Sequence, residues 1–308
     1  MAPLTIRIRA VLAMVALLAA LAAGWFAWRG RDHVPSPTAP DLAYTVIPVA
    51  DLPRDDLSPV ARRLLRDPGT MVAGRSPAFH ALAPNIRHLS LTLNEAEFAW
   101  TWMNHWIAPP AATNRALIVL VADAARWNDL VSGHGLRHDS LALQLQLELY
   151  LKDDPAQNAR ADRIAHEIVH LRLNDPSRAT TPLWLEEGLA GHLGWRCALD
   201  YQATRRVRLF RTVPAIDAVH LLPLERLLEV TAYPADPAAA RAFYRQTEEL
   251  VALIHEQQGD DGLRRFIDRA ASIGVDPVAW FRETSGFNEE SQRAFETTWL
   301  ERCRQQEP

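Results

Sequence analysis

Two histidines four residues apart, with a glutamate directly after the first, are the residues in this sequence best placed to do chemistry. They are His166, Glu167 and His170, in the stretch RIAHEIVHLRL. Residues four apart on an α-helix lie on one face, so both Nε2 atoms can bind one ion at about 2.0–2.1 Å. Glu167, rotated by about 100° from His166, suits a base acting on a water on that ion. The pattern predicts a zinc site, and the alternative is a helix with two surface or capped histidines.

A catalytic zinc site needs a third protein ligand, with the fourth position left for water. The stretch WLEEGLA, residues 184–190, follows the histidine pair on what we predict to be the next helix. HExxH followed by WLxEGxA resembles the gluzincin metallopeptidases, and more closely the peptidase-MA-like domains of exported bacterial proteins. The resemblance covers most of residues 76–303. It implies that Glu187, rather than Glu186, is the third zinc ligand.

The resemblance implies a zinc-dependent metallopeptidase with one Zn²⁺ per chain. Glu167 would take a proton from the zinc-bound water and pass it to the leaving amine. Tyr244 would stabilise the oxyanion, because gluzincins commonly supply a tyrosine from the helix after the third-ligand helix. The alternative for Tyr244 is a packed aromatic side chain on an amphipathic helix.

The expected substrate is a peptide or protein, which would add as an extended strand beside residues 141–151. The alternative there is an edge that only ends the sheet. The net charge of −4 and the lack of a long basic run argue against nucleic acid as a partner. A catalytically silent binding domain of the cell envelope and a non-peptidase zinc hydrolase are the rival functions. The oligomeric state is left open.

Five more polar residues flank the predicted site. Asp162 and Asn174 extend the histidine face by one turn in each direction and can orient a ligand histidine, although a surface role is the alternative. His192 is rotated away from the face of the third ligand, so we expect it to pack or to support the ligands from outside. His134 and His138 lie in a predicted loop and are interpreted as loop polar groups.

Residues 1–31 are predicted to be a signal-anchor or a signal peptide. Residues 10–28 carry no charge over a length sufficient to span a bilayer, and two arginines precede them. We favour an uncleaved, single-pass anchor in a bacterial inner membrane, with the domain in the periplasm or outside. Cleavage at Ala20-Leu21-Ala22, followed by secretion, is the alternative.

The rest of the chain predicts an α+β fold of zincin-like type, with a small mixed sheet. After a Pro-rich linker at residues 32–55, one domain spans residues 56–308. Its sheet and HExxH half covers residues 56–175, and its mainly helical half covers residues 176–308. Cys197 and Cys303 either form a disulfide or remain two buried thiols.

Three local patterns define the predicted elements around the motif helix. Leucine at every odd position of residues 141–151 predicts one half-buried strand at the edge of the sheet, lining the cleft. The apolar run at residues 115–123 predicts a buried strand. Residues 94–107 predict a helix capped by Asn94.

Overall fold

The computed structural model describes most of the chain, and all described residues belong to one compact unit within residues 37–308. The predicted anchor and the loop residues His134 and His138 lie outside the described residues. Within the described part of the chain, no helix is both long and apolar enough to cross a membrane. The described ranges are 44–53, 57–66, 68–109, 115–133, 142–145, 147–153, 160–174, 181–205, 216–270 and 276–305.

Six strands of the described residues form one mixed sheet, which confirms the predicted α+β class. The order is β1-β2-β3-β4-β6-β5, with β3, β4 and β6 parallel to one another and the other pairs antiparallel. Every residue of β4 is buried, as its apolar run predicts. The strands are β1 (Thr45–Ile47), β2 (Val72–Arg75), β3 (Phe79–Ala83), β4 (Ala116–Val121), β5 (Ala142–Leu145) and β6 (Glu148–Lys152).

The leucine-rich stretch 141–151 is not the single strand that we predict from its alternation. It forms the hairpin of β5 and β6, in which β6 lies between β4 and β5 and only β5 is at the edge. β6 is buried on both faces, and the buried Glu148 carboxylate accepts hydrogen bonds from the backbone N–H and the hydroxyl of Ser58, both at 2.5 Å. The Tyr150 hydroxyl also donates to Glu148 at 2.6 Å. These hydrogen bonds satisfy the polar atoms of Glu148, a side chain that the alternating pattern predicts to face water.

Nine helices accompany the sheet in the described ranges, and one of them begins earlier than predicted. Helix α2 starts at Ile86, where the Asn85 side chain accepts a hydrogen bond from the backbone N–H of His88. Asn94, the predicted cap, lies inside this helix. The helices are α1 (Pro59–Arg66), α2 (Ile86–Met103), α3 (Ala124–Gly133), α4 (Arg160–Leu173), α5 (Leu183–Arg205), α6 (Leu224–Leu228), α7 (Pro237–Arg269), α8 (Pro277–Ser285) and α9 (Glu289–Arg304).

The second half is helical in the described ranges. The Asp-Pro pairs at residues 236–237 and 276–277 and the asparagine at 288 predict three helix starts there, and the structure has all three. Asp236, Asp276 and Asn288 cap α7, α8 and α9 by accepting backbone N–H bonds. As the glycine predicts, the first part of α7 ends at Gly259, whose φ of +66° and ψ of −172° are non-helical, and the chain continues as a second helical part after this kink. At the other end of the chain, β1 lies inside the segment predicted as a linker, so the sheet begins before residue 56.

Two glycines bring α5 close to both of its neighbours. A Cβ atom at Gly194 would lie 3.0 Å from the backbone nitrogen of His166 on α4. A Cβ atom at Gly188 would lie 2.5 Å from the carbonyl oxygen of Thr247 on α7. These contacts hold α5 between α4 and α7, and therefore bring the EEG stretch of α5 beside the HExxH helix.

The two cysteines are buried free thiols, in agreement with the second of the two alternatives. Burial is the main cause that raises the pKa of both thiols, that of Cys303 to about 12. A protonated, buried thiol is a poor nucleophile, so neither cysteine is a candidate for chemistry.

Candidate metal centre

Three side chains from α4 and α5 converge on one point. The Nε2 atoms of His166 and His170 are 3.1 Å apart. The Glu187 carboxylate lies 3.6 Å from each of them, through Oε2 to His166 and Oε1 to His170. Ligands at about 2.0–2.1 Å from a tetrahedral ion are themselves separated by about 3.3 Å. The two 3.6 Å distances are to different oxygens of Glu187, and with one ligand atom per residue the three atoms lie within 4.8 Å of one another, which is close enough for the cluster to hold a metal ion.

The environment of Glu187 independently fits a cation. The residue is 3% exposed, and its Oε2 atom is buried with no hydrogen-bond partner among the described residues. A buried carboxylate oxygen without a donor costs free energy unless a positive charge faces it. Burial raises the pKa of Glu187, but His170, His166 and the hydroxyl of Tyr233 lower it to about 2 overall. The carboxylate is thus charged and is directed at the two imidazoles.

Glu186, which is not one of the three candidate ligands, contacts His170 on the side of the imidazole opposite the Nε2 atom. Its Oε1 atom is 2.8 Å from Nδ1 of His170, and it accepts a second hydrogen bond from Nδ2 of Asn174 at 3.0 Å. An imidazole bonded to a carboxylate through Nδ1 presents Nε2 in a fixed direction. Asn174 therefore reaches the histidine pair through Glu186, which is the contact that sequence reasoning misses.

Glu167 is buried beside the cluster and has a pKa close to neutrality. Burial raises the pKa most, Glu187 and Glu186 add to the rise, and His170 opposes it, giving a value of about 7. Burial alone would lower the pKa of His170, but Glu187 and Glu186 raise it well above the ordinary value. The carboxylates of Glu187 and Glu186 thus favour a positive charge at the position of His170. Glu167, with a pKa of about 7, can both take and release a proton near neutral pH.

A tyrosine that we did not predict contacts the third candidate ligand. Tyr233, in the connection between α6 and α7, donates a short hydrogen bond from its hydroxyl to Oε1 of Glu187. The residue is half exposed, but withdrawal of its hydroxyl from water and the neighbouring Glu187 carboxylate raise the pKa of Tyr233, so the hydroxyl stays protonated. Tyr244, the predicted oxyanion donor, packs its ring on Tyr233 with the ring centroids 5.8 Å apart. Tyr233 lies in a stretch without periodicity, which carries no signal for its position.

His192 belongs to a different polar cluster, which we call the histidine–aspartate network: His192, His255, Asp260 and His105. Its Nε2 atom is 2.8 Å from Nδ1 of His255, whose Nε2 is 2.8 Å from Asp260. The second Asp260 oxygen is 3.1 Å from Nε2 of His105. Burial lowers the pKa of His192 well below its ordinary value, and His255 adds to this. His192 thus supports the packing of α5 on α7 through this network.

Asp162 lies where α4 meets α5. Its carbonyl oxygen would be 3.3 Å from a Cβ atom placed at Gly194. This places the Asp162 backbone at the close contact that aligns the two helices of the metal centre.

No protein-family model and no curated protein sequence matches this chain. The likeness to gluzincins therefore rests on the pattern of this sequence, of which the HExxH and WLxEGxA stretches are the specific part.

Proposed function

We propose that the protein is a zinc-dependent metallopeptidase with one Zn²⁺ per chain. The observation that carries the proposal is the convergence of His166, His170 and Glu187, with a buried carboxylate oxygen that has no donor among the described residues. Two imidazoles and one carboxylate are a donor set typical of catalytic zinc, which keeps a fourth position open. The arrangement of a sheet edge, an HExxH helix and a second ligand helix supports a zincin-like fold.

Zinc held by these residues would supply a Lewis acid and lower the pKa of a water toward neutrality. The chain supplies the proton transfers and the alignment. Glu167, buried beside the cluster, would accept the proton of the attacking water and deliver it to the leaving amine. Glu186 and Asn174 hold His170 in its orientation.

The position of β5 supports an extended peptide as the substrate. β5 is the terminal strand of the sheet and packs against α4, the helix that carries the histidine pair. A peptide that paired with the backbone of β5 would run along this helix, so one of its peptide bonds would pass the cluster. Residues 1–31 would anchor the enzyme in a bacterial inner membrane with this domain in the periplasm, or direct its secretion.

The test combines metal content with hydrolysis in the detergent-purified full chain. We expect about one zinc per chain, and hydrolysis of a mixed peptide library that stops when zinc is removed and returns when it is restored. Glu167→Gln should keep the zinc and lose hydrolysis. The matched control is Glu97→Gln, because Glu97 is also buried but binds the backbone N–H of Ala78, and this variant should keep both properties.

Two results would count against the proposal. A chain without zinc, in which His166→Ala changes nothing, has no metal centre of this kind. A chain that holds zinc but cleaves no peptide, with Glu167→Gln indistinguishable from wild type, is a peptidase-like binding domain rather than an enzyme.

A further inference from the structure

Two exposed aromatic rings lie together beside the metal centre. Six large hydrophobic side chains of the described residues are strongly exposed, and two of them are Tyr233 at 48% and Tyr244 at 42%. The others belong to other elements: Val46, Ile86, Leu199 and Val219. The two tyrosine rings are tilted by 30° relative to each other, and their centroids are 5.8 Å apart. They form one continuous aromatic surface, which we call the tyrosine pair.

The tyrosine pair is held in place from two sides. Phe243, which is only 1% exposed, packs under both rings with centroid distances of 6.4 Å to Tyr233 and 6.1 Å to Tyr244. The hydroxyl of Tyr233 donates a hydrogen bond to Glu187, so the ring lies next to a candidate metal ligand. Because Phe243 packs against both rings and the Tyr233 hydroxyl is hydrogen-bonded, the two side chains are already ordered, and less rotamer entropy is lost when a ligand covers them.

We propose that the tyrosine pair is a specificity subsite that receives an aromatic or large aliphatic side chain of a peptide, on a residue flanking the hydrolysed bond. This inference rests on the proposed peptidase function. A peptide bond at the cluster places the neighbouring side chains within reach of the ring that contacts Glu187. Aromatic and large aliphatic side chains gain most binding free energy from such rings, because the contact removes apolar surface from water. An aromatic side chain gains further from stacking on the tyrosine rings. Tyr244 is then a specificity residue rather than the oxyanion donor.

The test measures peptide binding, so that it does not depend on turnover. The full chain carrying Glu167→Gln is titrated, as purified, into fluorescein-labelled acetylated hexapeptides that differ at one position, occupied by Phe, Leu or Ala. We expect the Phe peptide to bind about fivefold more tightly than the Ala peptide, corresponding to about 1 kcal/mol, with the Leu peptide between them. Adding Tyr244→Ala should reduce the ratio of Phe to Ala affinities to below about twofold.

Two further variants separate a subsite from other roles. Tyr244→Phe keeps the ring without the hydroxyl, so it should retain the fivefold ratio, whereas a preference that depended on a hydrogen bond from the Tyr244 hydroxyl would be lost. Leu199→Ala is the control, because Leu199 is 41% exposed on α5, far along the helix from Glu187. It should leave the ratio unchanged. If Tyr244→Ala fails to fold by circular dichroism, Tyr244→Gln replaces it.

The outcomes distinguish this inference from the proposed function. A ratio near one in the parent chain, or a fivefold ratio that survives Tyr244→Ala, would overturn the subsite. Hydrolysis by wild type at bonds with no preference for flanking aromatic or large aliphatic residues would also overturn it, while leaving the peptidase intact. An aromatic preference that Tyr244→Ala removes, in a chain without hydrolysis, would support the subsite and contradict the peptidase.

Discussion

Replacing Glu186 tests how the protein fixes the orientation of its histidine pair. The Glu186 carboxylate is 2.8 Å from Nδ1 of His170 and is not one of the three candidate ligands. Losing such an outer partner typically costs 10–100-fold in metal affinity, or about 1.4–2.7 kcal/mol. We expect Glu186→Ala to weaken zinc binding about 100-fold, because it leaves the imidazole N–H without its acceptor. Glu186→Gln should weaken it only about tenfold, because the amide oxygen still accepts that bond without a charge.

Replacing Asn174 tests whether this residue acts on His170 only through the Glu186 carboxylate. Its Nδ2 donates to the same Glu186 oxygen at 3.0 Å, so it acts on the histidine only through that carboxylate. Asn174→Ala alone should weaken zinc binding about threefold, on the basis of about 0.5–1 kcal/mol for one partly exposed hydrogen bond. In a Glu186→Ala background the same change should have no further effect, which makes the two substitutions non-additive.

Zinc affinity is measured by competition with a chromogenic chelator in the full-length protein. Glu290→Gln is the control for the loss of one carboxylate charge, because Glu290 is exposed at the start of α9. Unchanged zinc affinity in Glu186→Ala would refute the claim that this carboxylate orients His170. Additive effects of the Asn174 and Glu186 substitutions would refute the claim that they act in series.

Three further predictions concern the frame around the site. Gly194→Ala places a methyl group 3.0 Å from the backbone nitrogen of His166, so it should destabilise the fold by about 1–3 kcal/mol in urea unfolding; an unchanged midpoint would contradict the close helix contact. Burial raises the pKa of Asp260, but hydrogen bonds from two histidines lower it overall. The charged Asp260 therefore stabilises the fold at pH values above its unfolded-state pKa of about 3.9, and this stabilisation is lost as the pH falls through the lower folded-state pKa. Asp260→Asn should therefore be less stable than wild type at pH 5–7 and should approach it in more acidic solution, and a gap that widens on acidification would be inconsistent. Cys197 and Cys303 should resist maleimide labelling in the native protein and react in urea without reduction, whereas labelling that requires a reductant would indicate a disulfide.

The sequence predicts the elements that carry strong local signals. The HExxH helix, the buried strand β4 and the starts of α7, α8 and α9 all follow from periodicity or from a capping side chain. The juxtaposition of the histidine pair with Glu187 is not visible in local pattern at all. Only the family likeness predicts it, and the structure brings these side chains together through the glycines that let α5 pack closely on its neighbours.

The remaining features depend on contacts between distant parts of the chain. The β5–β6 hairpin keeps the period of two in both arms, so alternation cannot reveal the turn between them. The burial of Glu148 depends on Ser58, which lies ninety residues away in the sequence. Tyr233 comes to Glu187 from an irregular connection, where neither periodicity nor capping residues indicate which side chain turns inward. Each of these features is a tertiary contact without a local pattern.

A zinc-bound crystal structure of the wild-type protein, with the ion located by its anomalous scattering, tests the central claim most directly. We expect a single ion within about 2.0–2.2 Å of Nε2 of His166, Nε2 of His170 and a carboxylate oxygen of Glu187, with one position left open. An ion bound by any other set of side chains would contradict it. A Glu187 carboxylate that stays out of bonding distance from the ion would contradict it as well.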